Sequence, residues 1–244
     1  MNIKADTLVV PDEQKMAVLR RVCAKMAHDI NNLLGAIEGY STFAASALAP
    51  GSQARADIED VRASAAKGAE LTGRLSLFAG RRTLARSELS PAGLLEAAAA
   101  GRGAGWEKIN FRTAANAAAA VNADEDMLKQ ALAELLRNAR YSCQAGGEVT
   151  AGAEDVSVPP ERNRAQKPAA GNAAFVRFYV ADSGPGPGAA DLPRLFEPFF
   201  STRSARGLGL AAVYGAALLH GGWAECLLPA GGGCEFSFYI PAGI

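Results

Sequence analysis

Val180-Ala181-Asp182-Ser183-Gly184-Pro185-Gly186 leaves an apolar run and enters a glycine turn. An apolar run closed by glycine and proline reads as a strand that ends in a loop. At that point Asp182 can accept a hydrogen bond from the amino group of adenine, and Gly184 and Gly186 let the backbone pass close to a flat base. Alone, residues 182–186 are an ordinary Asp-Gly turn; their neighbours give them weight. Upstream, Glu134-Leu135-Leu136-Arg137-Asn138-Ala139-Arg140 lies in an amphipathic pattern over residues 124–143, with acidic residues in the first turn, where the helix dipole favours them. Glu134 and Asn138 stand four apart and share a helix face. The Asn138 amide oxygen suits Mg2+, which takes few protein ligands and fills its shell with phosphate and water. Glu134 can polarise a water or the metal shell; taken alone, the pair also fits a solvated polar face. Downstream, Leu195-Phe196-Glu197-Pro198-Phe199-Phe200-Ser201-Thr202-Arg203 joins an aromatic cluster to a base. Gly207-Leu208-Gly209-Leu210 then opens a helix over residues 208–220, and helix N-termini favour phosphate.

Further strands are expected at 148–153 and 175–181, with a closing hairpin at 223–228 and 234–240. Ser90-Pro91 starts a helix that reaches about Ala100, and residues 109–114 form a short strand. Residues 157–172 are rich in proline, charge and small polar side chains and read as a surface loop. Strands and helices without strict alternation predict an α+β two-layer sandwich, with helices on one face of a mixed sheet.

The first third of the chain is different. Leu19, Cys23, Met26, Ile30, Leu33, Ile37, Tyr40, Ala44 and Ala47 recur at spacings of four and three, a heptad seam over residues 13–48 that wants a partner helix. Ala49-Pro50-Gly51-Ser52 breaks it, and Ile58, Val61, Ala65, Leu71, Leu75 and Phe78 mark a second helix ending near Gly80. A tight turn between long helices gives an antiparallel hairpin. Two hairpins from two chains would complete a four-helix bundle, so a homodimer is expected. His28 lies two residues from both Met26 and Ile30, so it points away from the seam they define. Asp29 adjoins it, and Asn32 shares its face. An exposed imidazole beside a carboxylate can attack phosphorus while its other nitrogen gives up a proton.

Residues 27–34 resemble the acceptor-helix motif of bacterial two-component sensor histidine kinases, the group written H-D-F-N-N-L-L, with Ile30 for the phenylalanine. The downstream series resembles the asparagine, aspartate-glycine, phenylalanine and second glycine boxes of the histidine kinase ATPase domain, whose fold is shared with DNA gyrase. The resemblance runs from about Leu19 to Pro241. It implies phosphorylation of His28, catalytic help from Asp29 and a phosphatase-linked role for Asn32. It implies that Asn138 binds Mg2+, that Asp182 reads adenine and that Gly184 and Gly186 line the base. Glu134 and Arg140 join the nucleotide site, Arg203 sits near the phosphates, and Gly207 and Gly209 carry the lid hinge. The trailing His220 is implied to be a structural helix-end residue. The sequence departs from the pattern in a lid of only Ser204-Ala205-Arg206 and in Tyr141, where an acidic residue is common. A short lid implies a weaker grip on the γ-phosphate.

The expected organisation is a tail at 1–12, a dimerisation and phosphotransfer hairpin at 13–86 and a catalytic ATP-binding domain at 87–244. The expected cofactors are ATP and Mg2+, and the expected phosphoryl acceptor is an aspartate on the receiver domain of a response regulator. The first helix begins about a dozen residues in, so the stimulus is expected through a partner such as a separate sensor protein, through the short N-terminus, or not at all. Twenty-five basic residues balance twenty-five acidic ones, which argues against nucleic acid or an anionic membrane surface as partner. No run approaches the ~18 apolar residues of a membrane span, so a cytoplasmic protein without membrane insertion is expected. Cys23, Cys143, Cys226 and Cys234 are scattered and form no C-x-x-C pair, and only two histidines are present, which argues against zinc. Other readings stay open: a histidine phosphotransfer protein with weak or absent ATP binding, a non-catalytic dimeric adaptor, or simple ATP hydrolysis by Glu134.

Overall fold

The structure, a computed structural model, describes residues 6–80, 83–143, 145–159, 164, 173–202 and 206–243. A short strand β1 (Thr7–Val9) precedes helix α1 (Glu13–Ala47). Asp12 caps α1 by accepting from the Lys15 amide. Gly51, at φ 80°, makes the turn, and Ser52 caps α2 (Gln53–Ala79), which Gly80 ends in the left-handed conformation. The two helices lie close enough that a Cβ on Gly68 would stand 3.0 Å from Leu34 Cδ2. Arg62 Nη2 reaches across to Glu38 Oε1 at 3.0 Å. Ala24, Ala27, Ser41 and Ala45 of α1 and Ala65, Thr72 and Leu75 of α2 are buried.

The heptad seam divides in two. Met26, Ile30, Leu33, Ile37 and Tyr40 are exposed within this chain, Tyr40 to 80%. Cys23, by contrast, is buried, in the same core as Met16 and as Leu75 and Phe78 of α2.

The remainder comprises β2 (Arg86–Leu89), α3 (Pro91–Ala100), β3 (Asn110–Asn116), β4 (Val121–Asp124), α4 (Glu125–Ser142), β5 (Glu148–Val158), β6 (Ala173–Asp182), a 3-10 turn at Leu192–Arg194, α5 (Gly209–Leu219), β7 (Trp223–Leu228) and β8 (Cys234–Pro241). The main sheet has the order β1-β7-β8-β6-β5-β3; β3 and β5 run parallel and every other pair antiparallel. A separate two-stranded sheet joins β2 to β4. Alternation along β6 sends Val176, Phe178 and Val180 into one core with Leu128, Leu132 and Leu135 of α4 and Val213 and Ala217 of α5. This is the expected helical hairpin followed by an α+β sandwich.

Four elements differ from the sequence reading. Residues 7–9 are not a free tail: β1 pairs with β7, Val9 opposite Cys226, and the Ala230 amide donates to Asp6 Oδ1 at 3.0 Å. Three residues are too few for a periodic signal, and what orders them is the otherwise bare edge of β7. β5 runs on to Val158, so the polar segment begins later; most of 160–172 lies outside the described residues. β2 and β4, four residues each, are held by one another rather than by a pattern of their own. No helix among the described residues is long and apolar enough to cross a membrane.

His220 closes α5 as a structural residue. Its ring is buried, Nε2 accepts from the Asp124 amide at 2.9 Å, and Nδ1 lies 2.7 Å from the Ala216 carbonyl. Those two partners require the neutral ring, with the proton on Nδ1. Burial lowers its pKa below the ordinary 6.5. As pH falls, the unfolded chain therefore takes up this proton before the native one does. The contribution to stability is full above about pH 6.5 and drains away as the pH falls toward the depressed native value. Urea unfolding at about pH 7.5 and about pH 5.5 should show a larger acid loss for the wild type than for His220→Gln. Equal losses would count against this account.

Candidate functional site

Between α4, the end of β6 and the start of α5 lies a cavity of about 580 Å3. Asp182, at the last residue of β6, lines it and is buried. Its Oδ1 accepts from the Gly184 amide at 2.9 Å, which fixes the carboxylate at the mouth of the turn. A Cβ on Gly184 would meet Ser142 Oγ at 2.5 Å, so only glycine fits there. Gly186, at φ 69°, also lines the cavity. A carboxylate beside a flat glycine wall with Cys234 and Phe236 suits the edge and face of a purine.

α4 contributes a polar wall. Glu134 and Asn138 line the cavity from it, with Arg137, Tyr141 and, beside the Gly184 turn, Ser142. The Glu134 side chain is only 4% exposed; its Oε2 accepts from Arg137 Nη1 at 2.7 Å, and Arg74 Nε lies 3.3 Å from its Oε1. Gly209 begins α5 directly over this carboxylate, where a Cβ would stand 2.8 Å from Glu134 Oε2. Gly207 has φ 66° and lies against the Phe199 and Phe200 backbone. The Phe199 amide donates to the Gly207 carbonyl at 2.8 Å, closing the loop between them. Phe199 is the one non-glycine residue of positive φ among the described residues, 65°, so strain collects at this rim.

Of the expected nucleotide residues, Glu134, Asn138, Asp182, Gly186, Gly207 and Gly209 thus meet at one cavity, with Gly184 supporting Asp182. Arg140 does not join them: its Nε donates to the Gly105 carbonyl at 3.2 Å and its guanidinium lies over Tyr141. Two residues past Asn138 on a helix is about 200° of rotation, which turns it away. Arg203 lies outside the described residues. Arg137 and Tyr141 also line the cavity: Tyr141 stands in the sequence reading only as a departure from the family pattern and Arg137 carries no role there, although each stands three residues after Glu134 or Asn138, a spacing that places them on the same face. Arg206, which the sequence places in the short lid, also lines the cavity, whereas Arg74 carried no sequence signal and comes from α2.

The second cluster stands on α1. His28 is 71% exposed, and its Nδ1 lies 3.2 Å from Asp29 Oδ1 and 3.4 Å from Asn32 Nδ2. The two contacts suit different tautomers. A proton on Nδ1 is donated to Asp29, which leaves the Nε2 lone pair for attack; without it, Asn32 donates to Nδ1 instead. His28, Asp29 and Asn32 are not among the residues lining the cavity.

Residues 123–244 match the family described as histidine kinase-, DNA gyrase B- and HSP90-like ATPase. Over 238 residues the chain is 29% identical to the sensor kinase CckA of Brucella abortus (strain 2308), covering 93% of this chain and 25% of CckA. Over 236 residues it is 26% identical to the sensor histidine kinase ZraS of Escherichia coli O157:H7, covering 95% of this chain and 48% of ZraS. Among solved structures, full-length ShkA in complex with AMPPNP superposes with a TM-score of 0.63 at 26% identity, over 91% of this chain and 46% of that one. The chain therefore spans between a quarter and about half the length of these relatives.

Proposed function

Because the chain belongs to the family of histidine kinase-, DNA gyrase B- and HSP90-like ATPases, we propose that it is an ATP-dependent histidine kinase of a two-component system, with His28 as the phosphoryl acceptor. One observation carries the reading. A cavity lined by Asp182 and Gly186 of the β6 turn and by Asn138, Gly207 and Gly209 belongs to the same chain as an exposed His28-Asp29-Asn32 cluster.

Asp182 accepts from the adenine amino group, and the N-terminus of α5 receives the phosphates. The Asn138 amide oxygen is a fitting ligand for Mg2+, which would neutralise the phosphate charge. His28 Nε2 attacks the γ-phosphorus, the bond to the β-phosphate oxygen breaks, and ADP leaves. Asp29 holds the Nδ1 proton and offsets the charge that develops on the ring. The phosphoryl group then passes to an aspartate of a response-regulator receiver domain. Asn32, hydrogen-bonded to the same ring, orients water for the reverse phosphatase reaction. Residues 13–86 serve as the phosphotransfer hairpin and 87–244 as the catalytic domain. The bare apolar row of Met26, Ile30, Leu33, Ile37 and Tyr40 is covered by a second copy of the hairpin, giving a homodimer. ATP as substrate puts the reaction in the cytoplasm.

The test is incubation with γ-labelled ATP and Mg2+. An acid-labile, base-stable label on the protein is the expected result; ATP turnover with no protein-bound label would sink the proposal. Asp182→Asn replaces an acceptor oxygen with a donor at the adenine edge. It should weaken ATP binding by about tenfold to a hundredfold, read by calorimetry.

A further inference from the structure

We propose that Arg74 of the helical hairpin is a ligand for the nucleotide phosphates, so that the ATP site is completed across the boundary between hairpin and catalytic domain. The inference rests on the nucleotide-site reading above and adds to it a residue from outside the ATPase fold.

Arg74 lies on α2, yet its side chain lines the cavity. It enters at the polar wall, beside Glu134, the same carboxylate over which Gly209 opens α5. The Arg74 Nε and Glu134 Oε1 atoms face one another at 3.3 Å, both buried, and neither makes a hydrogen bond of good geometry. A buried guanidinium nitrogen held in that state costs free energy until an acceptor reaches it. Its other partner, Glu70 Oε1 at 2.8 Å, belongs to a side chain 67% exposed, so that pair contributes little. Arg137 and Arg206 also line this cavity, and Glu134 and Asp182 are the carboxylates that do so. Three guanidinium groups around one cavity suit a polyphosphate, whose oxygens guanidinium binds in pairs.

The register of the hairpin adds an independent reason. Gly68 faces Leu34, Arg62 pairs with Glu38, and Arg20 abuts Gly80. Continuing those pairings sets Arg74 level with residues 26–28 of α1, the height at which His28 stands. The hairpin residue that reaches the polar wall of the cavity is thus at the level of the acceptor imidazole. A cation there would hold the γ-phosphoryl group toward the hairpin. It would also make nucleotide binding depend on docking of the two parts.

The test is calorimetric binding of adenosine, ADP and ATP with Mg2+ to the full chain, comparing wild type, Arg74→Ala and Arg74→Lys, each also in a Glu134→Gln background. A phosphate ligand predicts that Arg74→Ala leaves adenosine affinity unchanged and weakens ATP by roughly tenfold, with ADP between, and that Arg74→Lys recovers part of the loss. The ATP loss should persist when Glu134 is Gln. Equal weakening of adenosine and ATP, or an Arg74→Ala effect that vanishes in Glu134→Gln, would make Arg74 a structural partner of Glu134 and overturn the inference. An ATP affinity unchanged by Arg74→Ala would overturn it too, while leaving the nucleotide site intact. Wild type that bound none of the three would overturn both readings. Unchanged adenosine affinity in the variant also shows that its pocket is folded.

Discussion

His28→Gln should abolish acid-labile labelling from γ-labelled ATP while leaving ATP affinity at its wild-type value. The split follows from where the ring sits. His28 is 71% exposed, and its hydrogen-bond partners among the described residues are the exposed side chains of Asp29 and Asn32, so its removal opens no cavity and orphans no buried group there. It does not line the nucleotide cavity, so calorimetric binding should not change. What is lost is the one atom able to form the N–P bond, since an amide nitrogen has no basic lone pair. Asp29→Asn tests the second half of the mechanism. Without the carboxylate the ring loses its preference for a proton on Nδ1, and the positive charge that develops during transfer has no counter-charge beside it. The labelling rate should fall by roughly a hundredfold or more, again with unchanged ATP affinity. Label that survived His28→Gln would place the acceptor elsewhere.

Much of this arrangement was legible because the groups concerned work within one element. Glu134 and Asn138 are four apart on α4, and Asn32 is four beyond His28 on α1; both pairings follow from helical geometry and hold in the structure. Asp182 was legible because a strand ending in glycine leaves its last side chain at the sheet edge. Arg140 failed by the same geometry, applied one step too loosely: it is near Asn138 in sequence and on another side of the helix. What sequence could not show is whatever depends on two distant segments meeting. Thr7–Val9 become a strand only because β7 offers an edge, and β2 and β4 only because each finds the other. Cys23 is buried within the single chain, in the core that also holds Met16 and, from α2, Leu75 and Phe78, rather than by a second hairpin, a contact that no heptad spacing encodes. Arg74 reaches Glu134 across sixty positions of chain, from a helix whose own pattern marks it as a surface cation.

The contact that makes such meetings possible passes through Gly215, and Gly215→Ala should reverse the usual sign of its class. In the interior of a helix this change ordinarily stabilises by about 1 kcal/mol. Here α5 crosses α2 so closely that a Cβ on Gly215 would stand 2.3 Å from the Leu77 carbonyl oxygen and 2.5 Å from Phe78 Cα. Both are backbone atoms of α2, so no rotamer change relieves the clash, and the helices must part by roughly an ångström to restore van der Waals distance. Phe78 is fully buried at this crossing and tilts against Tyr214, whose hydroxyl pKa burial pushes up to about 12. Separating them costs about 1–3 kcal/mol, and in a chain of this size each kcal/mol lowers the melting temperature by about 2–4 °C. A melting temperature that rose instead would mean that α5 and α2 do not touch. Because the same crossing delivers Arg74 to the cavity, the variant should also reproduce the selective loss of ATP over adenosine expected of Arg74→Ala. A glycine with no polar atom near the nucleotide would then control phosphate binding, which follows only if docking of the hairpin and completion of the ATP site are one event.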